Sequence, residues 1–249
     1  MEAVILAAGL GRRLRPILGD QPKCLLEING QTLLERLICQ LRGSGVRQIW
    51  IVVGYMADMI RERFPSGKGL SYVYNPQYAT GNNVMSLYKA LDHVRGEFTY
   101  IMGDCIYEDD LLSQVDERDD EVAIAVDFSD RCTGDDVMVS VSDGRVVRIG
   151  KKIDVSPTTG YFAGAVRIGR EALSVLRNEL GAFAIRKDNR LYTSKALDEM
   201  IRRGSIQASF VDVTGLFWDE IDTPDDFMRV KGNINQGVAQ AHDETYGEL

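Results

Sequence analysis

The chain has 249 residues, 45% hydrophobic and 27% charged, with a formal net charge of −8. These are globular proportions, which exclude a disordered, collagenous or fibrous protein, and the length fits one large domain with a sizeable core. No apolar run approaches the roughly 18 residues of a membrane span, and the acidic balance argues against a nucleic-acid or anionic-membrane partner.

The first predicted strand is Ala3–Ala7, an apolar run that stops at Gly9 and suits a strand covered on both faces. A Gly- and Arg-rich loop, Gly9 to Gly19, follows. Thr32 to Gly43 has helical apolar spacing, with Thr32 as N-cap and Gly43 as stop. Ile49–Val53 reads as a buried strand, Ala57–Phe64 as a helix ended by Pro65, Leu70–Tyr74 as a strand, Asn83–Leu91 as a helix and Phe98–Met102 as a strand. This alternation predicts a mostly parallel sheet with helices on both faces. After Asp104 short strands take over: Val122–Asp127, Val137–Val141, Val146–Ile149 and Tyr161–Ile168, with a hairpin turn at Ser142-Asp143-Gly144. Helices are expected at Arg170–Glu179 and Ser194–Gly204, a strand at Gln207–Asp212, and a last helix to about Gln240. Thr223 caps that helix, Pro224 follows, and acids fill the first turn. The acidic run Glu108–Glu121 reads as a solvated helical face, and the last residues as a polar tail.

Four scattered cysteines without CxxC spacing indicate free thiols in a reducing cytosol, and no basic segment precedes the first apolar stretch, so a cytoplasmic protein without a secretory signal is expected. The two histidines, His93 and His242, lack metal-ligand spacing, which argues against a zinc site or a Ser–His–Asp mechanism.

The strongest motif is Leu6-Ala7-Ala8-Gly9-Leu10-Gly11-Arg12-Arg13-Leu14, followed by Pro22-Lys23. Glycines let a backbone turn its N–H groups toward anionic oxygens, and Arg13 and Lys23 add charge. A dinucleotide fingerprint fails because Leu14 stands at the third glycine position, and a P-loop GxxxxGK[ST] is absent. Gly103-Asp104 ends a strand, where open α/β sheets bind ligands. Trp218-Asp219-Glu220-Ile221-Asp222-Thr223-Pro224 supplies a second carboxylate, which otherwise serves as a helix cap.

GxGxR followed by PK resembles the signature of the nucleoside-triphosphate transferases that activate phosphorylated small molecules. Asn75-Pro76-Gln77-Tyr78-Ala79-Thr80-Gly81-Asn82-Asn83-Val84-Met85-Ser86-Leu87 looks like the corresponding segment of bacterial phosphocholine and phosphonate cytidylyltransferases. The resemblance implies a Rossmann-like, GT-A-like mixed sheet, mostly parallel, with a small β-rich acceptor-binding insertion. As a single domain, 1–105 would bind nucleotide, 106–215 the acceptor, and 216–249 would hold the metal segment and C-terminal helix. It further implies that Lys23 and Arg13 are catalytic and that Leu6, Ala7, Ala8, Gly9, Gly11, Arg12, Tyr78, Gly81, Asn82, Asn83 and Ser86 bind the nucleotide. Asp104 and Asp222 would bind Mg²⁺, two carboxylates completed by triphosphate oxygens and waters. Asn82-Asn83 serves equally as a helix cap.

For the acceptor, Asp143-Gly144-Arg145-Val146-Val147-Arg148-Ile149-Gly150-Lys151-Lys152 resembles the family strand whose lysine faces the acceptor phosphate, with Lys151 as first choice and Lys152 as second. Asp135, Asp136 and Tyr161 are further candidates, and acids there suit an amine. Arg186, Lys187 and Arg190 read as a solvated loop or a second anion site. The implied reaction is transfer of CMP from CTP to a phosphorus oxygen of a small phosphonate or phosphorylated alcohol. That nucleophile is already anionic, so no histidine base is needed. A monomer or homodimer is expected. The competing readings are a sugar-1-phosphate nucleotidyltransferase using UTP or dTTP, a GT-A-like glycosyltransferase, and a non-catalytic nucleotide-binding domain.

Overall fold

The computed structural model describes residues 1–130, 136–156, 158–185 and 191–234. Cys132, Asp135, Arg186, Lys187, Arg190, His242 and the chain from 235 to the end lie outside the described residues.

In chain order, β1 (Glu2–Ala7) leads through a 3-10 turn (Arg12–Leu14), a short helix α1 (Arg15–Leu18) and a second 3-10 turn (Lys23–Leu25) into a small hairpin, β2 (Glu27–Ile28) and β3 (Gln31–Thr32). Then come α2 (Leu33–Gly43), β4 (Gln48–Val53), α3 (Ala57–Arg63), β5 (Leu70–Tyr74), α4 (Asn83–Leu91) and β6 (Phe98–Met102). The rest comprises β7 (Cys105–Tyr107), α5 (Asp109–Asp116), β8 (Val122–Asp127), β9 (Met138–Ser142), β10 (Arg145–Gly150), β11 (Thr159–Ile168), α6 (Arg170–Ile185), α7 (Thr193–Arg202), β12 (Ala208–Asp212), β13 (Trp218–Glu220) and a helix α8 at 224–234.

Among the described residues, nine strands form one mixed sheet. β1 lies at its centre, parallel to β4 and β6, and β5 extends it parallel to β4. β11 runs antiparallel to β6 and is long enough to hold β9 along its N-terminal half and β6 along its C-terminal half. β8 takes its other edge, with β12 outside and parallel to β8. The strands after Asp104 therefore extend the central sheet.

Period-two alternation divides the core between the two faces. Ala3, Ile5 and Ala7 point to the side covered by α2, α3 and α5, while Val4 and Leu6 point to the side covered by α4, α6 and α7. Each such buried Leu or Ile contributes about 1.5–3 kcal/mol. α2 starts as its sequence dictates, with Thr32 Oγ1 accepting the Glu35 N–H at 3.1 Å. The β9–β10 turn has positive φ at both Asp143 and Gly144, the mirror-image turn that suits the twist of a two-residue hairpin.

A third apolar cluster, which includes Leu14, Leu26, Ile28, Ile106, Ile221 and Val230, fastens the loops after β1 to β7 and α8. β7 and β13 pair antiparallel, Cys105 opposite Glu220. Strands of three residues separated by about a hundred others leave no periodic signal in sequence. Their pairing is nonetheless what brings the Asp219–Asp222 segment beneath the end of β6. No helix among the described residues is long and apolar enough to cross a membrane.

Candidate active site

The parallel strands β1, β4 and β6 all end on one side, and a cavity of about 940 Å³ opens there. Leu6, Ala8, Gly9, Arg12, Arg13, Tyr78, Gly81, Asn82, Asn83 and Ser86 line it, as do Asp104, Asp136, Lys151 and Asp222. Ala7 does not, because alternation turns it to the opposite face, into the core under α2 and α3. Tyr161 is buried in that same core, and Lys152 is exposed outside the cavity lining.

Gly11 adopts the left-handed conformation, φ +55°, at the start of the first 3-10 turn, where an added Cβ would lie 3.2 Å from Lys23 Cβ. That close approach stacks the glycine turn on the Pro22-Lys23 turn. Buried Leu14 and Leu25 anchor the two turns from below. Gly54 has a similar purpose: a Cβ there would lie 2.4 Å from Tyr78 Cβ and 2.8 Å from the Ala8 carbonyl oxygen. It lets the Tyr78 segment close against the loop after β1.

Lys23 is only 9% exposed. Its ammonium donates to Asp104 Oδ2 at 2.8 Å and also to Asp222 Oδ1, while Arg13 donates to Asp222 Oδ2. Burial alone would lower the lysine pKa, but Asp104 and Asp222 outweigh it and the net shift is upward. Burial likewise opposes the Asp222 charge, and Lys23 and Arg13 reverse it, holding that carboxyl below its usual range. Glu220 is the third acid of the group. Desolvation in the cleft, then repulsion from Asp104 and Asp222, pushes its carboxyl up to about 8. Lys23 and Arg13 thus pair with the Asp104 and Asp222 carboxylates, and repulsion from those two favours the protonated form of Glu220.

Carboxylate oxygens of Asp104, Glu220 and Asp222 lie within 4.8 Å of one another. Asp104 Oδ1 is buried without a hydrogen-bond partner, a cost of about 1–3 kcal/mol unless something binds it. An all-oxygen, carboxylate-rich set is the chemistry that Mg²⁺ takes. The residues present fit a divalent cation.

Asn82 stands at the N-cap position of α4, but its side chain does not cap the helix. Asn83 Oδ1 instead accepts the Thr193 N–H at 2.9 Å, tying α4 to the first residue of α7. Buried Asn75 donates to Ser86 Oγ at 2.9 Å and accepts the Gln77 N–H, which fixes the turn before Tyr78. Lys151 Nζ lies 5.5 Å from the Tyr192 ring centroid. Phe162, Tyr192 and Trp218 all line the cavity, and Trp218 is oriented by its indole N–H donating to the buried Asp127 carboxylate at 2.9 Å.

Glu220, Thr193, Ser194 and Arg229, none of them a site candidate from sequence, also line the cavity. Glu220 stands two residues before Asp222 and was legible in principle from that spacing. The others reach the site through pairings far apart in the chain.

The family described as MobA-like NTP transferase domain matches residues 3–190. The bifunctional IPC transferase and DIPP synthase of Aquifex aeolicus is 29% identical over 92% of this chain and 50% of its own length. The chain spans about half the length of several such curated relatives. The 2-aminoethylphosphonate cytidylyltransferase of Lancefieldella rimae is 35% identical over 60% of this chain and 61% of its own. The UTP–glucose-1-phosphate uridylyltransferase of Haloferax volcanii is 27% identical over 97% and 99%. Among solved structures, the CTP:phosphocholine cytidylyltransferase of Streptococcus pneumoniae superposes with a TM-score of 0.76, at 23% identity, over 94% of this chain and 98% of its own. That likeness concerns the fold, a nucleotidyltransferase sheet of the GT-A-like kind.

Proposed function

The chain belongs to the MobA-like NTP transferase family, and from that premise we propose that it is a cytidylyltransferase. It would transfer CMP from CTP to a phosphorus oxygen of a small phosphonate or phosphorylated alcohol and release pyrophosphate. The observation that carries this reading is the junction of Lys23 with Asp104 and Asp222 beside a cavity rimmed by Gly9, Arg12 and Arg13. Loop N–H groups and the two arginines receive the triphosphate. Asp104, Asp222 and Glu220 would hold Mg²⁺, which would neutralise phosphate charge. The acceptor's anionic oxygen attacks the α-phosphorus in line, the bond from the α-phosphorus to the bridging oxygen breaks, and pyrophosphate leaves with the electron pair. Lys23 serves chiefly as charge gathers on the α-phosphate oxygens, and the loop contacts orient the reactants. No side chain is needed as a base, since the attacking oxygen is already deprotonated.

Lys151 is suited to the acceptor's phosphorus oxygens. Asp136 and the aromatic side chains of Phe162, Tyr192 and Trp218, which line the cavity, suit a cationic end. The 2-aminoethylphosphonate relative, 35% identical, supports this choice of acceptor class. The second reading, a sugar-1-phosphate nucleotidyltransferase using UTP or dTTP, is favoured by the Haloferax relative. Pyrophosphate release from CTP, UTP, dTTP, ATP and GTP separates the two when run against 2-aminoethylphosphonate, phosphocholine, polyol phosphates and hexose-1-phosphates. CTP with a phosphonate or phosphoalcohol should be fastest. If UTP or dTTP with a hexose-1-phosphate outpaces every such pair, the sugar reading replaces it.

A further inference from the structure

The β7–β13 pairing sets Glu220 opposite Cys105, beside Asp104, and the turn from β13 into α8 carries Asp222 to the same place. Two neighbouring carboxylates set the shape of that turn. Asp219 Oδ1 accepts the Glu220 N–H at 2.9 Å, and Asp226 Oδ2 accepts the N–H groups of Asp222 at 3.0 Å and Thr223 at 2.8 Å. A single side chain grips both of them. Arg229, from the second turn of α8, donates Nε to Asp219 Oδ2 at 2.9 Å and Nη2 to Asp219 Oδ1 at 3.0 Å, and its Nη1 lies 2.8 Å from Asp226 Oδ1. Asp219 is 4% exposed, and the fork pairs its carboxylate within the interior. The guanidinium meets three carboxylate oxygens at once, in a geometry that a lysine's single ammonium cannot reproduce.

We propose that Arg229 is a positioning residue: by clamping Asp219 to Asp226 it holds Glu220 and Asp222 in the arrangement that binds a divalent cation. The inference rests on reading Asp104, Glu220 and Asp222 as that cation site. Arg229 pairs with Asp219 and Asp226, not with the three acids of the cation site. It acts through the backbone of residues 220, 222 and 223.

The test measures Mn²⁺ binding to nucleotide-free protein by electron paramagnetic resonance, together with Mg²⁺ titrations of turnover and thermal unfolding. The proteins are wild type, Arg229→Lys, Arg229→Met and Asp104→Asn. In Arg229→Lys we expect Mn²⁺ affinity to fall about 10–100-fold. The Mg²⁺ concentration for half-maximal turnover should rise by a similar factor, with the acceptor KM at saturating Mg²⁺ little changed. If Arg229→Met does not fold, Arg229→Lys carries the test. Wild-type Mn²⁺ affinity in Arg229→Lys overturns the proposal, whether or not stability and turnover fall, since a merely structural role lowers the melting temperature without moving the metal titration. Failure of the underlying reading is distinguishable: Asp104→Asn would then also bind Mn²⁺ as wild type does, and both inferences fall together.

Discussion

Removing the Lys23 ammonium would leave the carboxylates of Asp104 and Asp222 facing each other across a mostly buried gap. In Lys23→Met, kept in EDTA, we expect a loss of about 3 kcal/mol, the low end for a broken buried pair because Asp222 is partly open to solvent. Mg²⁺ should restore much of it, and urea unfolding with and without Mg²⁺ checks this. In steady-state kinetics kcat should fall more than the CTP KM rises; an effect confined to KM would make Lys23 a ground-state contact. Asp116, remote from the site, makes a second case. Its carboxylate accepts hydroxyl hydrogens from Thr99 at 2.5 Å and Ser44 at 2.9 Å, yet burial raises its pKa above the usual value. A carboxyl raised on folding contributes stability that is fully present below its unfolded pKa, near 3.9, and is lost as pH rises through its folded pKa. Asp116→Asn keeps an acceptor oxygen and avoids that loss. At pH 7 the variant should match or exceed wild type by up to about 1 kcal/mol, with the advantage gone below about pH 4. Urea midpoints across that range decide it.

At the scale of elements, the two walls of the cavity are fastened by single polar residues. Asp198 of α7, 3% exposed, accepts from Arg148 Nε at 2.8 Å and from the Ile149 N–H at 3.2 Å. It thereby locks β10, which leads to Lys151, onto the helix that follows Tyr192. Asp198→Ala leaves a buried N–H unpaired, at a cost of about 1–3 kcal/mol, and lets the Lys151–Tyr192 contact drift. The acceptor KM should rise severalfold while the CTP KM holds; equal changes in both would show that the lock is purely structural. α8 begins with a reciprocal cap. Thr223 Oγ1 accepts the Asp226 N–H at 3.2 Å, and Asp226 accepts the Thr223 N–H in return. Burial would raise the Asp226 carboxyl, but the hydrogen bonds from Thr223 and Arg229 and the N–H groups of 222 and 223 hold it low. Thr223→Ala should cost about 1 kcal/mol by urea unfolding.

For the whole molecule, the active-site charges balance locally even though the chain carries a net −8. Adding CTP without a divalent cation brings its negative charge up to the Asp104 and Asp222 carboxylates, so binding should be weak. With Mg²⁺ present, ligand at a hundredfold excess over its Kd adds about 2.7 kcal/mol. For a domain of this size that corresponds to a melting shift of roughly 5–10 °C. The shift should be largely absent in EDTA and in Asp222→Asn. An equal shift with and without Mg²⁺ would contradict the cation reading.

Local signals in the sequence determined a large part of this protein. Leu70–Tyr74, Asn83–Leu91, Phe98–Met102 and Val122–Asp127 are read from apolar periodicity and stop residues, and the structure keeps the same bounds. The caps at Thr32 and Thr223 and the turn at Asp143-Gly144 are legible because each is satisfied by atoms within four residues. The Gly9–Lys23 and Asp104 motifs are legible because a strand that runs into glycine or aspartate places them at a sheet's carboxyl edge. Only the tertiary structure decided which residues meet there. Lys23 contacts Asp222 across 199 positions, and Asn83 contacts Thr193 across 110. Both junctions depend on non-local pairings, β7 with β13 and α4 with α7, that leave no periodic trace. The same holds for Tyr161, whose sequence neighbourhood suggests the acceptor but whose side of β11 faces the core. A strand's alternation says that its side chains divide between two faces. Which face is core and which is cavity is settled only when the neighbouring strands and helices have packed against it.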